Sequence, residues 1–159
     1  MMKELTPWNY YEISLLALTI WREARGECTD AKIAVAHTVK NRMENPSWWG
    51  NDIVSVLTKK WQYSSMTDPK DRQLTTWPQA NDHVFEECLT VAALVVGGVY
   101  NSPLRGIDSY YDDSLKGDLM PKWAKEHPER FVGKIGRLNF YNLDMDTEDP
   151  HVNLKESEA

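Results

Sequence analysis

Apolar residues recur at helical spacing from Tyr11 onward, with Ile13, Leu16, Ala17, Ile20 and Ala24 on one stripe. This predicts a first helix from Asn9 or Tyr10 to Arg25. Pro7 suits a first helical position just ahead of it, and Trp8 is available to pack on the body. Gly26 reads as the left-handed residue that ends the helix. At roughly 100° per residue, Glu23 falls on the flank of the stripe and Arg22 and Arg25 on the far side. A second helix, capped by Thr29 or Asp30, carries Val35, Ala36, Val39 and Met43 as its stripe and ends near Asn45 and Pro46. The short connection makes the two helices packing neighbours. His37 and Asn41, four apart on a flank, are each placed to face the first helix near Glu23. A histidine hydrogen-bonded at a packing edge is the simpler reading of His37.

Further along, Asp52 is positioned to cap a short helix over 53–58. The run 60–66, Lys-Trp-Gln-Tyr-Ser-Ser-Met, has neither helical nor strand period, and is too polar for core and too aromatic for a plain linker. Residues 67–78 read as a polar loop that crosses the surface or lines a cleft. A third long helix over 79–96 gives the strongest amphipathic signal, through Val84, Phe85, Cys88, Leu89, Ala92, Val95 and Val96, and stops at Gly97 and Gly98. After it come a short strand within 106–112, one helical turn at 121–125, and two apolar pieces within 131–141 around Gly133 and Gly136, which predict a small β-hairpin. The class is therefore α+β and mostly α-helical: a body over 1–143, followed by a charged tail over 144–159 that is expected to be poorly ordered.

At 159 residues the chain is most simply one domain, able to bury about two-thirds of its unfolded surface without a metal or disulfide scaffold. Seven Trp and seven Tyr against three Phe suit a sugar-binding cleft, since each pairs an apolar face with a polar handle; the same residues also serve as core. A net charge of −6 argues against nucleic acid as a partner. Cys28 and Cys88 are remote from each other and from any His at ligand spacing, which leaves them reduced and buried, or paired in one optional disulfide. Neither a metal nor another cofactor is implied. The first residues lack the apolar core of a signal peptide, and no apolar run reaches membrane-spanning length. The expectation is a monomer made in the cytoplasm, with no membrane insertion, that needs another agent to release it if it acts outside.

Glu23 is the residue with candidate chemistry. At the end of an apolar helix it is half-desolvated, near the negative end of the helix dipole, and close to Glu27, and all three influences favour its protonated form. A general acid requires this. An ordinary surface glutamate in a last helical turn is the competing reading.

The run 20–27, Ile-Trp-Arg-Glu-Ala-Arg-Gly-Glu, is followed by Ile33-Ala34-Val35-Ala36 with Val39, Asn41 and Arg42, then by Trp61-Gln62-Tyr63-Ser64. Later come Ser109-Tyr110-Tyr111, Pro121-Lys122-Trp123-Ala124, and Ile135-Gly136 through Phe140-Tyr141. In order and approximate spacing, from 11 to 142, the chain resembles the SleB/CwlJ-type spore-cortex-lytic and cell wall hydrolase family, whose relatives are common in bacteriophages. The Glu-Ala-Arg-Gly-Glu run together with Ile-Ala-Val-Ala and Asn-Arg carries most of the specificity. The resemblance implies a lysozyme-like, lytic-transglycosylase-like domain that cleaves peptidoglycan glycan strands, with Glu23 as the essential acid and Gln62, Tyr63, Ser64, Tyr110 and Tyr111 bordering the sugar groove. Where the family often has His before the aromatic pair, this chain has Ser109.

Cleaving a β-1,4 bond between N-acetylmuramic acid and N-acetylglucosamine requires protonation of the leaving oxygen while charge develops on the ring. Hydrolysis of the muramidase type adds a second carboxylate, for which Glu27 is the nearest candidate and Asp52, Asp68 and Asp112 are others. A lytic transglycosylase instead uses the substrate's own hydroxymethyl oxygen, with one glutamate as acid and base. The single well-placed carboxylate favours that chemistry. An endolysin or another wall-lytic enzyme fits these features. A non-enzymatic glycan-binding or structural phage component is the reading from another class.

Overall fold

The computed structural model describes residues 4–60 and 62–143. The first helix, α1 (Pro7–Ala24), begins at a capping box: the Thr6 hydroxyl accepts from the Asn9 N–H, and the Asn9 side chain accepts from the Thr6 N–H. It starts ahead of the apolar stripe because the cap and Pro7 at N1 set the beginning. At its end Arg25 stays right-handed and the Glu27 N–H bonds to Ala24 O at 2.9 Å. Gly26 is not among the glycines with positive φ, which corrects the expected left-handed cap. A tight turn serves in its place, since only a few residues separate this helix from the next.

The second helix, α2 (Thr29–Glu44), has Cys28 at its N-cap with no side-chain bond, and the Thr29 hydroxyl donates instead to Glu87 Oε1 at 2.7 Å. The Thr29 or Asp30 cap is thus replaced by a tertiary contact. Neither His37 nor Asn41 lines the cleft that holds Glu23: the His37 ring bonds to Tyr100 O at 3.0 Å and the Asn41 amide donates to Ile107 O at 2.7 Å. They tie α2 to the 100–107 segment. Helix α3 (Ile53–Thr58) carries the Asp52 cap, reciprocated by Ser55. The buried carboxylate of Glu12 fastens it to α1 by accepting from the Ile53 N–H.

Helix α4 (Ser64–Thr67) begins in the run 60–66 that has no period in the sequence, and a 3-10 turn at Arg72–Thr75 lies within the stretch 67–78 expected as a loop. Helix α5 (His83–Val96) begins at the cap Asp82, later than the apolar pattern suggests, because 79–82 closes a turn first. It lies against both α1 and α2. Leu16, Ala17, Ile20, Val35, Val39, Val56, Val91 and Val95 fill the core among these helices and α3. Cys88 is buried and Cys28 exposed, both as free thiols, so the pair forms no disulfide and only one of the two is buried.

Strands β1 (Ser109–Asp112), β2 (Phe131–Ile135) and β3 (Leu138–Tyr141) form an antiparallel sheet in the order β1-β3-β2, with Tyr110 opposite Phe140. The expected hairpin is therefore two-thirds of a three-stranded sheet. Its middle strand is buried at every position, which explains why it takes a partner on each side. Helix α6 (Lys122–Glu126) places Trp123 against Tyr141 in a second, smaller apolar cluster. The architecture is α+β with helices predominating. The expectation for 144–159 lies outside the described residues, as does Trp61.

Candidate active site

The C-terminal turn of α1, helix α4 and strand β1 converge on one cleft of about 750 Å³. Glu23 lies in its wall, partly open to it. One carboxylate oxygen, Oε2, accepts from the Ser65 hydroxyl at 2.9 Å, and the other, Oε1, accepts from the Tyr110 phenol. Burial pushes the proton affinity of Glu23 up. The hydrogen bonds from Tyr110 and Ser65 and the charge of Arg42 pull it down, Asp71 adds to the rise, and the balance is a raised pKa. Tyr110 is held neutral, its own pKa driven well above the ordinary value by burial and by the neighbouring Glu23. A carboxyl that keeps its proton beyond the usual range faces a cleft, with two hydroxyls ready to hold its anion.

Arg22 explains how Ser65 reaches Glu23. The expectation placed this side chain on the far side of α1; it is instead buried, 6% exposed. Its guanidinium donates to Ser65 O and Thr76 O, both at 3.1 Å, pinning the 65–76 loop over the helix end. The backbone acceptors of that loop offset the cost of burying the charge. Arg42 does the same from α2. It is equally buried and donates to Asp108 O, Gln62 Oε1 and Ser109 Oγ, with its guanidinium 5.0 Å from the Tyr63 ring. Two buried arginines thus fix the two edges of the cleft.

Gln62, Tyr63, Ser64, Tyr110 and Tyr111 all line this cleft together with Glu23. Their surroundings differ. Gln62 and Tyr63 are each only 7% exposed, and the Tyr63 hydroxyl lies 2.9 Å from Thr38 Oγ1, so most of both side chains serves the wall. Ser64 donates to Asp71 Oδ2 at 2.7 Å. Tyr111 packs on the rings of Trp123 and Tyr141. Ser109 is buried, donating to Asp108 Oδ1.

Among the carboxylates, Glu27 does not line the cleft: its Oε1 accepts from the Arg137 N–H at 2.8 Å and closes the β2–β3 turn. Asp52 is the cap of α3, and Asp68 accepts from the Lys70 N–H away from the cleft lining. Asp112 does line it, bonded to the Ser114 N–H and Arg137. Asp71, which the sequence does not single out, also lines it, accepting from Ser64 and from the Gln73 N–H at 2.8 Å. Nothing in the spacing of a polar loop distinguishes Asp71 from Asp68; the fold of α4 and the following turn does. Among the described residues no group of three or more His, Cys, Asp or Glu could hold a metal ion, and no helix is long and apolar enough to cross a membrane.

A family model described as Cell Wall Hydrolase matches residues 26–141. No curated protein and no solved structure matches the chain. The matched span takes in α2 through β3 and begins just after Glu23.

Proposed function

Since the chain belongs to the cell wall hydrolase family, whose members degrade peptidoglycan, we propose that it cuts the glycan strands at the Glu23 cleft as a lytic transglycosylase with a lysozyme-like body. The observation that carries this reading is Glu23 itself: a carboxyl of raised proton affinity, in the wall of an open cleft, with a hydroxyl donor at each oxygen. Neutral Glu23 donates its proton to the glycosidic oxygen as that bond breaks. Tyr110 and Ser65 then stabilise the carboxylate left behind. The carboxylate takes the proton of the muramyl hydroxymethyl group as its oxygen attacks the anomeric carbon. One glutamate serves twice, no water is consumed, and the product carries a 1,6-anhydro-N-acetylmuramic acid end. Gln62, Tyr63, Ser64, Tyr110 and Tyr111 border the sugars in this reading.

A second reading has a specific observation in its favour. Asp71 lines the same cleft and is close enough to raise the proton affinity of Glu23. Its hydrogen bonds from Ser64 and Gln73 suit a charged carboxylate, which is what a muramidase needs as base or nucleophile. Mass spectrometry of the products from purified peptidoglycan in heavy-oxygen water separates the two. Unlabelled anhydro ends, lighter by one water, are the expected result; labelled reducing muramic acid ends would replace the transglycosylase with the hydrolase and make Asp71 the first residue to substitute. Failure to release any soluble fragment would leave only a glycan-binding protein.

A further inference from the structure

Trp77 stands outside the chemistry described so far. It is 63% exposed, the second most exposed large apolar side chain among the described residues, in the loop that follows the 3-10 turn at Arg72–Thr75. Exposed indoles are usually free to turn, but this one is held. The Arg22 guanidinium lies over the ring, 4.5 Å from its centroid, and the same side chain donates to the carbonyl of Thr76, the preceding residue. Arg22 is buried, lines the cleft, and donates to Ser65 O, whose hydroxyl in turn bonds Glu23. One guanidinium, itself in the cleft lining, therefore touches both the loop that holds the acid and an exposed indole. It orients the ring from one side while most of the residue stays open to solvent.

The bonds from this guanidinium to Ser65 O and Thr76 O hold it in place against the indole. A flat apolar face held in orientation by a residue of the cleft wall and open to water offers large contact area at little cost in side-chain entropy.

Resting on the reading of the cleft as a glycan site, we propose that Trp77 is the platform of an outer sugar subsite, stacking on a pyranose of the strand beyond the sugars that flank the cleaved bond. The ligand class is an uncharged N-acetylhexosamine face. This subsite binds and does not take part in bond breaking, so its contribution depends on the length of the glycan.

The test compares Trp77→Leu, which keeps apolar cover on Arg22 but removes the planar face, with Trp77→Tyr, which keeps a ring. Each is confirmed folded by thermal melting and assayed on long peptide-free glycan strands and on oligosaccharides too short to leave the cleft. Trp77→Leu should raise KM on long strands about five- to tenfold while leaving kcat, and all kinetics on short oligosaccharides, near the parent's; Trp77→Tyr should restore most of the affinity. Equal KM for parent and Trp77→Leu on long strands would overturn the proposal. So would an equal loss of kcat on both lengths, which would mean that Trp77 acts only by steadying Arg22 and Ser65. If the parent cleaves neither glycan, the glycan reading of the cleft has failed before any variant is compared.

Discussion

Glu23 is poised between opposed influences, and the poise has measurable consequences. Burial favours its neutral form while Tyr110, Ser65 and Arg42 favour the anion. Glu23→Gln keeps the volume and cannot donate a carboxylic proton, so kcat on peptidoglycan should fall at least about a hundredfold with the fold intact. The same variant tests the raised pKa through stability. The native state binds this proton more tightly than the unfolded chain does. Its contribution is therefore fully present below the ordinary glutamate pKa and is lost as pH rises through the raised one. Urea unfolding from acid to neutral pH should show that decline in the parent and not in Glu23→Gln; the same slope in both would mean that Glu23 is not perturbed. Tyr110→Phe removes a bond that favours the anion, so the alkaline limb of the rate profile should move to higher pH as kcat drops. A limb that moves the other way would contradict the geometry.

Between elements, Glu27 in the α1–α2 turn makes a clasp to the β2–β3 turn. Its carboxylate receives the Arg137 N–H, directly beside Gly136, whose φ is 58°. A Cβ at Gly136 would lie 2.5 Å from Glu27 Oε1. Glu27→Ala should destabilise the fold by about 1 kcal/mol through the lost hydrogen bond, and Gly136→Ala by about 1–2 kcal/mol through the left-handed backbone alone, more with the clash. Both are read from the urea midpoint at constant m. Glu27→Gln, which still accepts, should leave kcat within about tenfold of the parent's. A loss equal to that of Glu23→Gln would make Glu27 the second catalytic carboxylate after all.

At the scale of the molecule, two buried arginines join the helical body to the cleft. Arg22 reaches from α1 to the 65–76 loop, and Arg42 from α2 to Gln62 and to the start of β1. The apparatus they hold consists of a carboxyl, hydroxyls and aromatic rings. Activity on purified wall should therefore survive a strong chelator. Its loss with chelator and recovery with zinc would show a metal role that the described residues do not suggest.

The sequence by itself determined the helices and much of their punctuation. The stripe through Ile13, Leu16 and Ile20, the Asp52 cap and the stop after Val96 are all interactions between residues within about one helical turn of each other, and such signals are written locally. It also placed Glu23 at the flank of its stripe, because helical phase follows from position alone. Other features were decided by the tertiary structure. Ser65 and Tyr110 meet Glu23 across 42 and 87 residues of chain. Asp71 enters the cleft, Glu27 stays out of it, Arg22 is buried where the phase of α1 put it outside, and β1 joins the predicted hairpin. Each of these depends on which surfaces meet when the helices pack. A charged side chain reads as exposed until a distant loop supplies the backbone carbonyls that let it be buried, and no spacing along the chain reports where that loop will fall.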